Sequence, residues 1–173
     1  LFSTAFIRSR PGAQRFSARS IDSEYNNGVS NQSTPQTPQR ALRTSLRVAA
    51  VQMVSATTLA PNLARAAELI AQAAAEGAEF IALPEYFCIL GRKDTDKVDI
   101  REPDGDGPIQ SFLAETARRH GVWLLGGTIP LVSAKRMKVM NTSPLYGPDG
   151  TRRARYDKIH LFDATLPGLK TYR

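Results

Sequence analysis

The 173-residue chain has a single cysteine, Cys88, and so cannot build a disulfide framework or a zinc site of several thiolates. Histidine is almost as scarce: His120 and His160 stand far apart, which argues against a histidine metal centre. Every apolar run is broken by charge or proline well short of the ~18 residues that a membrane-spanning helix needs. No internal repeat is evident. The Gly126-Gly127 pair fits neither a dinucleotide fingerprint nor a phosphate loop. What these absences leave has the composition of a soluble protein suited to a reducing compartment.

Acids are missing from the first 21 residues, where Arg8, Arg10, Arg15 and Arg19 sit among serines. The chain carries 23 Lys and Arg against 16 Asp and Glu, a formal +7. Residues 1–47 hold seven arginines and two acids, a net of +5, and residues 48–173 hold 16 bases and 14 acids, a net of +2. Most of the excess therefore sits on the tail, and this distribution argues against nucleic acid as the partner. Residues 1–45 are expected to be disordered, because NNGVSNQSTPQTPQR offers almost nothing to bury against the entropy of ordering it. Their composition fits an organelle transit peptide, and equally a solvated extension with no address. A cytoplasmic and a mitochondrial location both stay open.

Residues 46–173 read as one domain. LRVAAVQM (46–53) has strand length. From Pro61 onward Leu63, Ala66, Ala67, Ile70, Ala73 and Ala74 recur at helical steps, and Gly77 stands where the helix would stop. FIALP (80–84) predicts a strand buried on both faces, and residues 91–108 a charged loop. A helix through Ile109, Phe112, Leu113 and Ala117 ends near His120 and Gly121, followed by a strand over VWLLGGT, residues 122–128. Residues 139–146 and 152–156 form a hairpin across Pro148-Asp149-Gly150. The order β-α-β-α-β followed by antiparallel strands predicts an α/β layer structure, whose sites lie beyond the carboxyl ends of its strands.

Glu85 leaves the sheet at such an end. Apolar surroundings there would raise its pKa toward general-base behaviour, whereas a solvated or arginine-paired carboxylate would have no such role. Lys158, in YDKIHLFD, could stabilise an oxyanion or merely snorkel from a strand edge to water. His160 is read first as a structural histidine bonded to a backbone carbonyl and otherwise as a substrate-pocket residue, and it would share a face with Lys158 if the segment is extended. His120 suits a helix carboxyl terminus. Tyr86 and Phe87 could line a pocket with Glu85 or simply pack. Cys88, in YFCIL with no cation beside it, is expected to be an inert core or pocket-lining thiol rather than a nucleophile.

In order along the chain, RVAAVQM, NLARAAELIAQAAAEGAEFIALPEYF, DGDGPIQSFLAETARRHGVWLLGGT and NTSPLYGPDGTRRARYDKIHLFD resemble the nitrilase (carbon–nitrogen hydrolase) superfamily, from about Arg47 to Tyr172. KIHLFD followed by Pro167-Gly168 is similar to its Nit-type amidase branch, whose members act on small carboxylate-bearing amides. The resemblance implies a four-layer αββα sandwich and hydrolysis of non-peptide C–N bonds by a Glu-Lys-Cys triad, with no metal or organic cofactor. By motif Glu85 matches the general base and Lys158 the group that stabilises the tetrahedral intermediate. The substrate would be a small amide, and a homo-oligomer is compatible with the family's habit of dimerising.

The family's nucleophilic cysteine lies downstream of the lysine, where Cys88 is not, and its frequent second glutamate has no match in Asp163. The expectation is therefore the first half of the sandwich: a polypeptide inactive as it stands, with an apolar sheet face and strand edges open to water. Two other readings compete with an incomplete amidase. One is a non-catalytic binding or scaffold homologue, and the other a nucleic-acid binder driven by the arginine tail.

Overall fold

The computed structural model describes the backbone at residues 2–8 and 18–21, and backbone with side chains at residues 45–93 and 95–160. Strand β3 (Leu46–Gln52) opens the domain and is followed by helix α1 (Leu59–Ala75), strand β4 (Phe80–Ala82) and the four-residue helix α2 (Asp96–Asp99). Helix α3 (Pro108–His120), strands β5 (Trp123–Leu125) and β6 (Ile129–Val132), and the hairpin β7 (Val139–Tyr146) and β8 (Arg152–Asp157) complete it. Two segments of the tail are paired strands, β1 (Phe2–Arg8) parallel to β3 and β2 (Ala18–Ile21) antiparallel to β1. The run FSTAFIR is β-prone, and β3 offers it an edge to pair with. The rest of residues 1–44, and residues 161–173 with Asp163, Pro167 and Gly168, lie outside the described residues.

Strands β1, β3, β4 and β5 run parallel, and β5, β7 and β8 are antiparallel neighbours. Strands β5 and β6 share one edge of β7, and β8 takes the other, since Thr142 pairs with both Ile129 and Asp157. Period-two alternation divides the faces. Ala49, Val51, Ile81, Leu83 and Leu124 are buried in one core with Ala66, Leu69, Ile70 and Ala73 of α1 and Ile109, Leu113 and Ala117 of α3. The alanines of α1 let it lie close to the strands.

The opposite face carries the rows Val48–Phe80–Trp123 and Ala50–Ala82–Leu125–Leu145–Ala154. These side chains are apolar, yet none is fully buried and Trp123 is 38 % exposed. One helical layer on one sheet, with an apolar second face, is half of a layered sandwich. Among the described residues no helix is long and apolar enough to cross a membrane.

Two buried polar side chains brace the loops that carry the site. Asn62, near the start of α1, donates to the carbonyls of Ala56, Thr58 and Cys88 and accepts from the Ala56 N–H. The Ser55 hydroxyl donates to the Phe87 carbonyl, 3.1 Å, so the segment after Glu85 is tied to the loop after β3. Glu102, buried within the charged loop, accepts from the backbone N–H groups of Ile109 and Gln110 at the amino end of α3. At the other end of α3, Gly121 adopts φ +63°, and the N–H groups of Gly121 and Val122 close on Arg118 and Ala117.

Candidate active site

Glu85 stands three residues beyond β4, and Lys158 one residue beyond β8. Separated by 73 positions in sequence, they meet: Lys158 Nζ donates to Glu85 Oε1 at 2.9 Å. Asn141 of β7 donates its Nδ2 to the same oxygen at 2.8 Å. The Asn141 carbonyl also accepts the backbone N–H of Lys158, 2.9 Å, which carries the hairpin register into the site. Around them Thr128, Tyr156 and His160 complete the lining of an open cleft of about 380 Å³.

Glycine geometry brings β4 and the β5–β6 link together behind this cleft. Gly127 has φ +55°, and a Cβ there would lie 2.0 Å from the Pro84 carbonyl oxygen. That close approach is what Gly127 serves, and it places Thr128 so that its Oγ1 accepts the Tyr86 N–H at 3.0 Å. Tyr86 itself holds φ +48°, an unusual conformation for a residue other than glycine. Lys97 Nζ sits 3.9 Å from the centre of its ring.

The electrostatics differ from the sequence expectation in one important respect. The Glu85 carboxyl is held below its ordinary range, not raised. Hydrogen bonds from Lys158 and then Asn141 outweigh the opposing effect of burial, and the charges of Lys158 and Lys97 add to them. The Glu85 side chain is also 54 % exposed, so desolvation is weak. Neither donor is near it in sequence.

The remaining candidates separate. His160 is exposed and lines the cleft. Phe87 contributes nothing to the cleft: it is wholly buried in the core and packs on Phe112 with ring centres 6.3 Å apart. Tyr86 is outside the lining as well, and burial pushes its phenol up to about 12. Cys88 is fully buried, and desolvation pushes its thiol up to about 12, the opposite of what a nucleophile needs. Asn141 and Thr128 were not anticipated. The only sequence signal for Asn141 is an amide in the middle of a strand whose neighbours are largely apolar.

Strand β8 is fixed beside the site by ion pairs. Arg155 bridges Asp104 at 2.7 Å and Asp157 at 2.9 Å, Arg152 also pairs with Asp104, and the Thr142 hydroxyl donates to Asp157 at 2.6 Å. Asp104 is held low chiefly by its bond from Arg152, and Asp157 chiefly by its bond from Arg155. Carboxyls with a folded pKa below the unfolded one stabilise the fold above the unfolded value, and lose that contribution as pH falls through the folded value. With ordinary values of 4.5 for Glu85 and 3.8 for the two aspartates, the urea midpoint is expected to fall on acidification below about pH 4. A midpoint that is flat or rises between about pH 5 and pH 2 would contradict these pairings.

A carboxylate and an ammonium converging at a sheet's carboxyl edge can move protons and offset negative charge on a reacting carbonyl. Comparison with known proteins places the chain in a family. Residues 47–173 match the carbon-nitrogen hydrolase family, and the chain belongs to it. Within that nitrilase superfamily the similarity is to the Nit-type amidases. Human omega-amidase NIT2 is 37 % identical over 131 residues, which are 75 % of this chain and 46 % of the relative. The deaminated glutathione amidase of Synechocystis is 40 % identical over 125 residues, 72 % of this chain and 45 % of that protein. Among solved structures, the NitFhit protein of C. elegans superimposes with a TM-score of 0.60 at 29 % identity, over 72 % of this chain and 30 % of that one. The chain thus spans less than half the length of the curated relatives it matches.

Proposed function

We propose that this chain contributes Glu85 and Lys158 to the active site of a cysteine-dependent amidase acting on small amides. The observation that carries the reading is the 2.9 Å contact between Lys158 Nζ and Glu85 Oε1 in an open cleft. In this scheme Glu85 takes the proton of a cysteine thiol, and the thiolate attacks the amide carbon. Negative charge gathers on the carbonyl oxygen, and Lys158 offsets it. The C–N bond then breaks as Glu85 returns the proton to the departing nitrogen, leaving a thioester. Next, Glu85 takes a proton from water, the hydroxide attacks the thioester, and the acid and thiol are released. Cys88 cannot be the attacking group, since it is buried and its thiol is held in the protonated form. The family's nucleophile, placed downstream of the lysine, is the group the scheme requires.

The names of the relatives, an omega-amidase and a deaminated glutathione amidase, support a small ω-amide carrying a carboxylate elsewhere. Ammonia release by the full-length protein tests this, with carboxylate-bearing ω-amides set against their methyl esters. The free carboxylates are expected to give the higher kcat/KM. Absence of ammonia from every amide tried would overturn the reading, and equal rates for acids and esters would overturn the substrate class.

A further inference from the structure

The two oxygens of the Glu85 carboxylate are treated differently by the sheet. Lys158 Nζ and Asn141 Nδ2 both donate to Oε1, and among the described residues nothing donates to Oε2. A carboxylate only accepts, so Asn141 must present its NH₂ group to Glu85. That choice leaves Asn141 Oδ1 buried and, among the described residues, with no hydrogen-bond partner, in a residue only 5 % exposed. Turning the amide end for end would set Oδ1 against Oε1, two acceptors at about hydrogen-bond distance. The amide is therefore held by Glu85 at the expense of its own oxygen, a sacrifice that buried polar groups rarely make. The same residue accepts the Lys158 backbone N–H through its carbonyl, so one position on β7 locates both members of the pair.

Resting on the amidase reading, we propose that Asn141 is a positioning residue that, with Lys158, occupies Oε1 of Glu85 and so assigns proton transfer to Oε2. The ionisable groups around this carboxylate are Lys158 after β8, Lys97 of α2, the adjoining Tyr86, Tyr156 of β8, and His160 in the cleft. Lys158 and Asn141 are the ones that donate hydrogen bonds to it. Removing Asn141 takes away one of the two donors that favour the charged form, and frees the carboxylate to turn.

The test is the pH–rate profile of ammonia release by the full-length protein, for the parent, Asn141→Ala and Asn141→Asp. Asn141→Ala is expected to lose roughly 10- to 100-fold in kcat, with the acid limb of the profile moved to higher pH. Asn141→Asp keeps the side-chain size and sets a second carboxylate on Oε1, so its limb moves further in the same direction. A purely structural role would lower the yield of folded enzyme and leave the limb in place. Should Asn141→Ala fail to fold, the near-isosteric Asn141→Asp carries the test alone. Acid limbs that superimpose on the parent's would overturn the inference. Glu85→Gln run in parallel separates the two failures: full activity there sinks the amidase reading, whereas a dead Glu85→Gln beside unshifted Asn141 variants sinks only this assignment.

Discussion

Glu85→Gln and Lys158→Ala, each made in the full-length protein, are expected to lower kcat for ammonia release by about 10³-fold or more. Glutamine keeps the shape of Glu85 and can still accept from Lys158 and Asn141 through its carbonyl oxygen, but it cannot take a proton. Lys158→Ala removes the cation that offsets charge on the reacting oxygen. Stability should scarcely change, because Glu85 is 54 % and Lys158 33 % exposed and such ion pairs contribute at most about 1 kcal/mol. The combination is diagnostic: a large loss of rate with an unchanged urea midpoint belongs to a catalytic pair, and the reverse to a structural one. Parent-like rates in either variant would contradict the roles assigned.

The second large effect falls on the backbone behind the cleft. Gly127→Ala would place a Cβ 2.0 Å from the Pro84 carbonyl oxygen and 2.9 Å from that of Leu83, at φ +55°. Both neighbours are main chain, so no side-chain rotation can relieve the contact. The left-handed conformation alone costs an L-residue about 1–2 kcal/mol. With the contact added, destabilisation on the order of 4 kcal/mol or more is expected, among the largest that a single substitution produces. Gly105→Ala is the control: φ is +86° there too, but a Cβ would meet nothing within 4 Å. Denaturant unfolding of the two variants therefore separates conformational strain from contact, and equal losses would show that the close approach to Pro84 has no weight. Because Pro84 adjoins Glu85, Gly127→Ala should also disorder the proton-transfer geometry.

Much of this architecture was legible along the chain, and the reasons are local. Helices α1 and α3 announce themselves by three- and four-residue spacing of apolar side chains and by the glycines that follow them. The β7–β8 hairpin is marked by its Pro-Asp-Gly turn. Strand β6 has no clear mark in the sequence: Pro130 interrupts it, and VWLLGGT has the pattern of one strand although β5 ends at Leu125. Pro130 is tolerated because its carbonyl, and with it the nitrogen that carries no hydrogen, faces Glu102 at the edge of β6 away from the ladder to β7. Glu102 itself looked like one more acid in a charged loop, since its partners at the start of α3 become visible only once the loop has folded back.

The site shows the same division. A carboxylate at the end of a buried strand and a lysine after a hairpin are positions that sequence can flag. Their contact, the direction of the Glu85 pKa shift and the part played by Asn141 depend on residues 56 and 73 positions away from Glu85. No local pattern encodes such distances. They follow from strand order, which places β7 beside β5 and brings the end of β8 over the end of β4.

Whether Glu85 and Lys158 act as one unit is decided most directly by ammonia release from the full-length Glu85→Gln/Lys158→Ala double variant beside the two single ones. Residues serving the same transition state are strongly non-additive, so the double variant should be about as slow as the slower single variant. Losses that multiply would mean two groups working independently, and would contradict the shared reaction centre on which this account rests.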